Sequence, residues 1–174
     1  MNETPEKYWF ALYTKPRNEF KAQLQIEAVS ITTYLPSTIQ VHQWSDRKKK
    51  IRQPLLPGYI FIYGSERERL TALEAPSIVR CVSDRGRPAK IPANQIENLR
   101  SFIQEEKKYT VENGIPKGTS IIIKSGPFTG VSGVLIEDSD GKTFVVSIEL
   151  LNRSIATHIS ESDMIEIVKN SIAT

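Results

Sequence analysis

The last third of the chain constrains the fold most, because residues 117–170 hold five short runs of strand-forming residues. Each run is rich in Ile, Val and Thr, which favour strands, and turn-forming sequences separate the runs. Strands this short leave their edges exposed in an open sheet, whereas closure into a barrel removes those edges. We therefore predict a small five-stranded β-barrel with strands at 119–123, 131–136, 143–148, 154–159 and 164–168.

The preceding residues combine extended and helical patterns. Residues 8–14 and the sequence YIFIY at 59–63 predict buried strands, and residues 39–54 predict a hairpin with a basic tip at 45–50. Thr14 is predicted to cap a helix that follows it, and two further helical patterns occupy 66–74 and 92–103. Interleaved strands, helices and a hairpin indicate an antiparallel sheet with helices. The predicted fold class is therefore α+β, with the small barrel as a second domain.

Charge and glycine divide the chain near residue 112. Residues 1–112 carry 18 basic and 13 acidic side chains, whereas residues 113–174 carry 5 and 7, and six of the nine glycines lie at or after Gly114. The polar stretch 105–116 ends in Asn113-Gly114 and Pro116, which is typical of a helix end that runs into a linker. We predict domains at 1–107 and 117–170 joined by a linker at 108–116.

Composition excludes several classes of protein. One cysteine cannot form an intrachain disulfide, and with two histidines it cannot supply a zinc site of the usual ligand count. The sequence contains neither an apolar run long enough to span a membrane nor a secretory signal at residues 1–10. The expected compartment is a reducing cytoplasm.

The sequence contains no recognisable catalytic set. His42 and His158 fall in different predicted domains, and Cys81 lies inside a predicted strand, where cysteine is usually a small core residue. We therefore expect no enzymatic activity, no metal and no cofactor.

Three basic segments of the first domain make nucleic acid a reasonable partner. The sharpest is Arg47-Lys48-Lys49-Lys50 with Arg52, and the others lie at 15–17 and 80–90. Such residues either bind phosphates and release counterions, or form a solvated surface that keeps the protein soluble. Charge alone leaves both interpretations open.

Two aromatic features also have two interpretations. In YIFIY, Tyr59, Phe61 and Tyr63 share one face of the strand, which is either core or a docking surface, and periodicity alone favours core. Phe128 follows Gly126-Pro127 near the tip of a glycine-rich turn, where it either folds back over the barrel or meets a partner. Taken alone, the turn favours the folded-back position.

Together, these motifs resemble the NusG/Spt5 family. Residues 9–16 (WFALYTKP) resemble the opening strand of its N-terminal (NGN) domain, and residues 55–62 (LLPGYIFI) resemble that domain's PGY-type strand. Gly118, the strand 119–123 and the glycines of GPFTGVSGV (126–134) resemble a KOW motif. The order of the two motifs and the linker between them match the family over nearly the whole chain. The resemblance implies an NGN α/β sandwich followed by a five-stranded KOW barrel.

The resemblance also implies a function in transcription elongation. Family members dock the NGN domain on the clamp helices of the largest RNA polymerase subunit and suppress pausing, and their KOW domain recruits ribosomal protein S10 or the termination factor Rho. By this resemblance the polymerase-binding residues are Tyr13, Leu56, Pro57, Tyr59 and Phe61. Phe128 matches the loop aromatic that meets the KOW partner. Contacts to DNA of the transcription complex are assigned to Lys15, Arg17, Lys48, Lys49, Lys50, Arg52 and Arg80.

The segment 48–62 (KKKIRQPLLPGYIFI) resembles specialised NusG paralogs, such as RfaH and the UpxY-type antiterminators, more than housekeeping NusG. This resemblance implies a monomeric antiterminator that acts on specific long operons and has no membrane partner. The alternatives are a general elongation factor of the NusG type and a ribosome- or RNA-binding KOW protein. The PGY strand argues against the last, since such a protein needs no NGN half.

Overall fold

The computed structural model of the chain describes residues 5–44, 46–103, 108–126, 128–138, 141–159 and 165–167. The chain forms two compact units, Met1–Ala93 and Asn94–Thr174. The predicted domain end at 107 therefore differs from the division seen here. The third helix, α3 (Ala93–Phe102), belongs almost entirely to the second unit. No helix within the described ranges is both long and apolar enough to cross a membrane.

The first unit alternates strands with two helices, as the sequence predicts. Its elements are β1 (Tyr8–Thr14), α1 (Glu19–Glu27), β2 (Thr32–Tyr34), β3 (Ser37–Gln43), β4 (Lys48–Pro54), β5 (Tyr59–Gly64), α2 (Glu66–Leu73), β6 (Ile78–Cys81), β7 (Ser83–Asp84), β8 (Arg87–Pro88) and β9 (Lys90–Ile91). The sheet order is β2-β5-β1-β6, and β9 also pairs with β1. All pairings are antiparallel. Strands β3 and β4 form a separate two-stranded hairpin, and β7 and β8 form another.

Helices α1 and α2 cover one face of this sheet. Phe10 and Leu12 of β1 and Ile60 and Ile62 of β5 share that face, because alternate residues of a strand point the same way. They form one core cluster with buried residues of the two helices, among them Ala22, Ile26 and Ala72. The opposite face of the sheet carries Trp9 and Tyr13 of β1 and Tyr59, Phe61 and Tyr63 of β5.

The second unit is an antiparallel sheet with α3. Its strands are β10 (Thr110–Asn113), β11 (Thr119–Ile123), β12 (Ser132–Asp138), β13 (Gly141–Ile148), β14 (Arg153–His158) and β15 (Ile165–Ile167). They pair in the order β10-β14-β13-β12-β11-β15. The first four predicted strand positions are confirmed, and β15 confirms the described part, residues 165–167, of the fifth. Within the described residues the sheet has six strands rather than five, and its closure into a barrel stays a prediction.

The sixth strand lies in the segment predicted to be a linker. β10 occupies four of the residues 108–116 and pairs with β14, so that Val111 lies opposite Ile155. Two side chains of β14 reinforce this pairing, since Ser154 Oγ donates to the Gly114 carbonyl at 3.0 Å and Thr157 Oγ1 donates to the Lys108 carbonyl at 2.9 Å. The polar composition conceals this strand, because an edge strand needs few apolar residues.

Two local predictions in the first unit are wrong. Thr14 does not cap α1, since that helix begins at Glu19 and its N-cap is Asn18, which makes no side-chain capping bond. The sequence predicts the basic run at the hairpin tip, but Lys48, Lys49 and Lys50 lie within β4. The hydrogen-bonded ladder between β3 and β4 extends beyond the residues that alternate between apolar and polar. Backbone hydrogen bonds can pair two strands whatever their side chains are.

Candidate functional site

Six aromatic side chains share the sheet face that α1 and α2 leave uncovered. β1 and β5 pair so that Trp9 lies opposite Tyr63 and Tyr13 opposite Tyr59, and β2 adds Tyr34 opposite Phe61. Neighbouring rings are in contact distance, with centroids 5.4 Å apart for Trp9 and Tyr63 and 6.1 Å for Tyr34 and Phe61. We call this surface the aromatic face; it consists of Trp9, Tyr13, Tyr34, Tyr59, Phe61 and Tyr63.

Exposure separates the predicted polymerase-binding residues into two groups. Phe61 and Leu56 are buried, with 0% and 1% of their surface accessible, and Tyr59 is at 9%. Tyr13 is half-buried and Pro57 is exposed. A partner can therefore contact Tyr13 and Pro57 directly. The three buried side chains support these two residues from below.

Tyr13 joins the predicted docking residues to a predicted nucleic-acid residue. Its ring centroid lies 4.9 Å from that of Tyr59 and 4.7 Å from the guanidinium carbon of Arg80. The pairing of β1 with β6 places Arg80 directly opposite Tyr13, and Arg80 itself is exposed. A guanidinium at this distance from a ring makes a favourable cation–π contact. The edge of the aromatic face therefore carries a positive charge.

A buried carboxylate fixes the turn that carries Leu56, Pro57 and Gly58. The Gly58 amide donates to Glu19 Oε1 at 2.8 Å, and the Gly58 carbonyl accepts from the Thr14 amide at 2.9 Å. Gly58 has a φ of +83°, a conformation that suits glycine. Glu19 is 5% exposed, so this polar contact is shielded from water. The start of α1 thereby sets the position of Pro57 relative to Tyr13.

We expect Glu19→Ala to destabilise this turn by about 1–3 kcal/mol, because the Gly58 amide loses its acceptor. Urea unfolding and hydrogen exchange at the Gly58 amide measure the effect, and exchange there should accelerate. Glu19→Gln is the matched control, since its side-chain oxygen still accepts the bond. Equal exchange in the wild type and the alanine variant would show that the carboxylate does not hold the turn.

The residues predicted to bind nucleic acid lie in three places of the first unit. Lys15 and Arg17 follow β1 and are exposed, and Arg17 adopts a φ of +59°. Arg80 lies on β6, as described. The remainder are on β4, where Lys48, Lys50 and Arg52 alternate with Lys49 and so face the opposite side of the hairpin from it.

Arg52 of β4 contacts side chains of β3 and α1. Its Nε donates to Ser37 Oγ at 2.7 Å, and its guanidinium carbon lies 5.9 Å from the Phe20 ring centroid. These contacts anchor the base of the hairpin. The three lysines are exposed and lie nearer the tip.

Phe128 is fully buried within the second unit. Its ring centroid lies 5.3 Å from that of Phe102 on α3 and 6.4 Å from that of Phe144 on β13. The folded-back position favoured by the turn sequence is confirmed. Pro127, which precedes it, lies outside the described residues.

Two residues of the aromatic face and one residue beside the hairpin are not singled out from the sequence. Trp9 and Tyr34 are absent from the predicted sites, although the alternation of β1 places Trp9 on the same face as Tyr13. Tyr63 is assigned from the sequence to the same strand face as Tyr59 and Phe61 but is absent from the predicted docking set. Tyr34 requires the pairing of β2 with β5, which the sequence does not contain. Trp44, next to the hairpin strand β3, is 56% exposed.

Cys81 lies in a structural cluster. Burial raises the pKa of its thiol, although the nearby Arg69 guanidinium acts in the opposite direction. Arg69 itself pairs with Glu66, and the hydrogen bond from Arg69 lowers the pKa of that carboxyl. A protonated thiol is a poor nucleophile, so this cluster has the character of packing rather than catalysis.

The geometry defines a class of protein: a helix-backed antiparallel sheet with an aromatic face and basic margins, followed by a small β-rich unit. Residues 7–100 match the family described as transcription termination factor NusG, which is more than half of the chain. The chain belongs to the NusG family, whose members are non-enzymatic transcription factors that bind RNA polymerase.

Two solved structures are similar to this chain over most of its length, at low sequence identity. A structure described as "Domain interaction in Thermotoga maritima NusG" is 21% identical, with a TM-score of 0.49, and the match covers 94% of this chain and 98% of that one. An MjSpt4:Spt5 complex is 17% identical, with a TM-score of 0.34, covering 92% and 97%. No curated protein matches this chain.

Proposed function

We propose that this chain is a transcription elongation factor that docks on RNA polymerase through the aromatic face and suppresses pausing or termination. The observation that carries the proposal is the position of the LPGY turn, residues 56–59, beside Tyr13 in a chain of the NusG family. The family resemblance of this turn and of β1 supplies the partner, the clamp helices of the largest polymerase subunit.

The chemistry of the face suits a protein partner. Aromatic rings supply large contact areas at low conformational cost, and such residues dominate binding energy at protein interfaces. Tyr13 combines an accessible ring with support from Tyr59 and Arg80. Pro57 adds an exposed apolar residue on a turn held by Glu19. Tyr13 is therefore the expected centre of the interface.

We expect Tyr13→Ala to weaken binding to RNA polymerase about thirty-fold or more, the loss typical of a central interface residue. Fluorescence anisotropy with the labelled full chain and core polymerase measures this. The control is Leu24→Ala, which removes an apolar side chain that is 69% exposed on α1, away from the aromatic face. Unchanged binding by a folded Tyr13→Ala protein would overturn the docking assignment.

We further propose that the chain is a specialised antiterminator of long operons rather than a general factor. The resemblance of residues 48–62 to specialised paralogs supports this choice. Chromosome-wide occupancy of the tagged protein and of polymerase distinguishes the two. Occupancy of a few long operons supports the antiterminator, whereas occupancy of most transcribed genes supports the housekeeping alternative.

The remaining assignments follow from the same proposal. The exposed basic residues around β1, β4 and β6 would contact DNA of the transcription complex, since they lie on the first unit together with the aromatic face. The second unit is proposed as a KOW domain that recruits ribosomal protein S10 or Rho. Contact through Phe128 requires its ring to leave the cluster with Phe102 and Phe144.

A further inference from the structure

The β3–β4 hairpin is a separate two-stranded sheet of the first unit. Its two seven-residue strands pair over their full length, from Ser37 opposite Pro54 to Gln43 opposite Lys48. Strands of this length extend about 23 Å. Within the described ranges, neither strand pairs with the five-stranded sheet. The hairpin therefore offers both of its faces near the tip to a partner.

An exposed tryptophan lies at this tip. Trp44 has 56% of its surface accessible, although tryptophan is among the side chains that proteins bury most extensively. The Trp44 amide donates to the Arg47 carbonyl at 2.8 Å, which continues the ladder by one pair beyond the two strands. The indole is thus attached to a residue whose backbone is hydrogen-bonded across the hairpin.

The register determines which charges accompany the indole. Counting alternate residues along the ladder places Trp44 and Arg47 on the same face as the pair His42 and Lys49. Lys48 and Lys50 lie on the other face, where Val41 is the exposed apolar residue. We call the first of these surfaces the Trp44 face; it consists of His42, Trp44, Arg47 and Lys49.

The charge of the hairpin favours a polyanion as the occupant. Residues 37–54 contain five basic side chains and one acidic side chain, whereas the whole chain has a net charge of only +3. The chain outside the hairpin is therefore slightly acidic. In the part of the chain that the structure describes, neither Arg47 nor Lys49 forms an ion pair, so both charges remain available to a ligand.

We propose that the Trp44 face binds single-stranded nucleic acid, with the indole stacked on an unpaired base and with Arg47 and Lys49 on the adjacent phosphates. A base in a duplex has both of its ring faces covered by its neighbours, whereas an unpaired base can stack on an aromatic side chain. This inference rests on the proposed nucleic-acid contact of the basic residues. It adds the strand state of the ligand and the residue that recognises it.

Intrinsic fluorescence reports directly on the proposed contact. The chain contains two tryptophans, and Trp9 is 6% exposed whereas Trp44 is 56% exposed. Titrating the full chain with a twelve-nucleotide oligo-dT or oligo-U should quench the emission of Trp44, and a DNA duplex of the same length should quench it much less. Trp44→Phe should abolish the quenching but retain part of the affinity, because phenylalanine also stacks on bases.

Affinity for labelled oligo-dT and oligo-U provides the second measurement. We expect Trp44→Ala to lower it about ten-fold, and Lys49→Gln to reduce the slope of log affinity against log salt by about 0.7. Val41→Ala is the matched control, since Val41 is similarly exposed on the opposite face of the same hairpin. Circular dichroism verifies that each variant is folded.

The outcomes separate this inference from the proposed function. Equal affinity of the Trp44→Ala and Val41→Ala variants, or duplex binding as tight as single-strand binding, overturns the stacking contact. Absence of any oligonucleotide binding by the wild type also overturns it, whereas the polymerase-binding measurement with Tyr13→Ala is unaffected. A preference for oligo-dT assigns the contact to unpaired DNA, and a preference for oligo-U assigns it to RNA; either supports the inference.

Discussion

Phe128→Ala should destabilise the second unit by about 3–5 kcal/mol, the usual cost of truncating a buried phenylalanine. Phe128 is completely buried, and its ring contacts Phe102 and Phe144, whose centroids are themselves 5.5 Å apart. Tyr109 extends this cluster, since its hydroxyl donates to the Phe102 carbonyl at 2.8 Å. Removing the ring leaves a cavity between α3 and β13. Hydrogen exchange of the β13 amides during urea unfolding reports on this unit specifically.

Thr129→Ala is the matched control for this prediction. Thr129 is the next residue and is exposed, and its hydroxyl donates to the Gly126 carbonyl at 2.6 Å, so its loss should cost about 1 kcal/mol or less. A Phe128→Ala protein as stable as Thr129→Ala would show that the ring does not support the core. The predicted large cost also means that a partner that takes up Phe128 must compensate for the lost packing.

Gly133→Ala should destabilise the same sheet by about 3 kcal/mol, the upper end of the usual cost of overpacking. A Cβ atom at Gly133 would lie 2.4 Å from the Val145 carbonyl oxygen and 2.7 Å from the Phe144 ring. The carbonyl belongs to the backbone of β13, which pairs with β12, and it cannot move without disturbing the ladder. Thermal unfolding followed by circular dichroism measures the loss.

Gly130→Ala separates the effect of space from the effect of backbone conformation. Gly130 has a φ of +84°, but no heavy atom lies within 4 Å of the position that a Cβ atom would take there. Alanine at this position should therefore cost only about 1–2 kcal/mol of conformational strain. Gly133 has no such positive φ, so its cost is steric. A larger loss of stability in Gly130→Ala than in Gly133→Ala would show that the short distance between Gly133 and β13 does not limit the stability of the sheet.

Local patterns are sufficient for most strands and helices. The run from Tyr8 to Thr14 and the YIFIY sequence are apolar on both faces. This pattern is typical of a strand that is covered on both sides. The strand predicted at 119–123 has the same bounds in the structure. The strand β10 escapes prediction, because its sequence is polar and only its pairing with β14 makes it a strand.

The candidate site is predictable only in part. The motifs at 9–16 and 55–62 identify Tyr13 and the LPGY turn, and alternation places Tyr59 and Phe61 on one face. Three contacts have no signal in the sequence. Tyr34 packs against Phe61, and the Glu19 carboxylate accepts a hydrogen bond from the Gly58 amide. The Arg80 guanidinium makes a cation–π contact with Tyr13. Each of these contacts joins elements that are distant along the chain.

The sequence by itself determined the family, the α+β class and the strand-forming character of the second unit, because these depend on short-range patterns of side-chain size, branching and turn chemistry. Only the tertiary structure decided which residues are accessible. It buried Phe61 and Phe128, left Tyr13 half-exposed, and exposed Trp44 at the end of the hairpin. The physical reason is that accessibility depends on which strands and helices pack over a residue, and that packing arises from contacts between segments far apart in the chain.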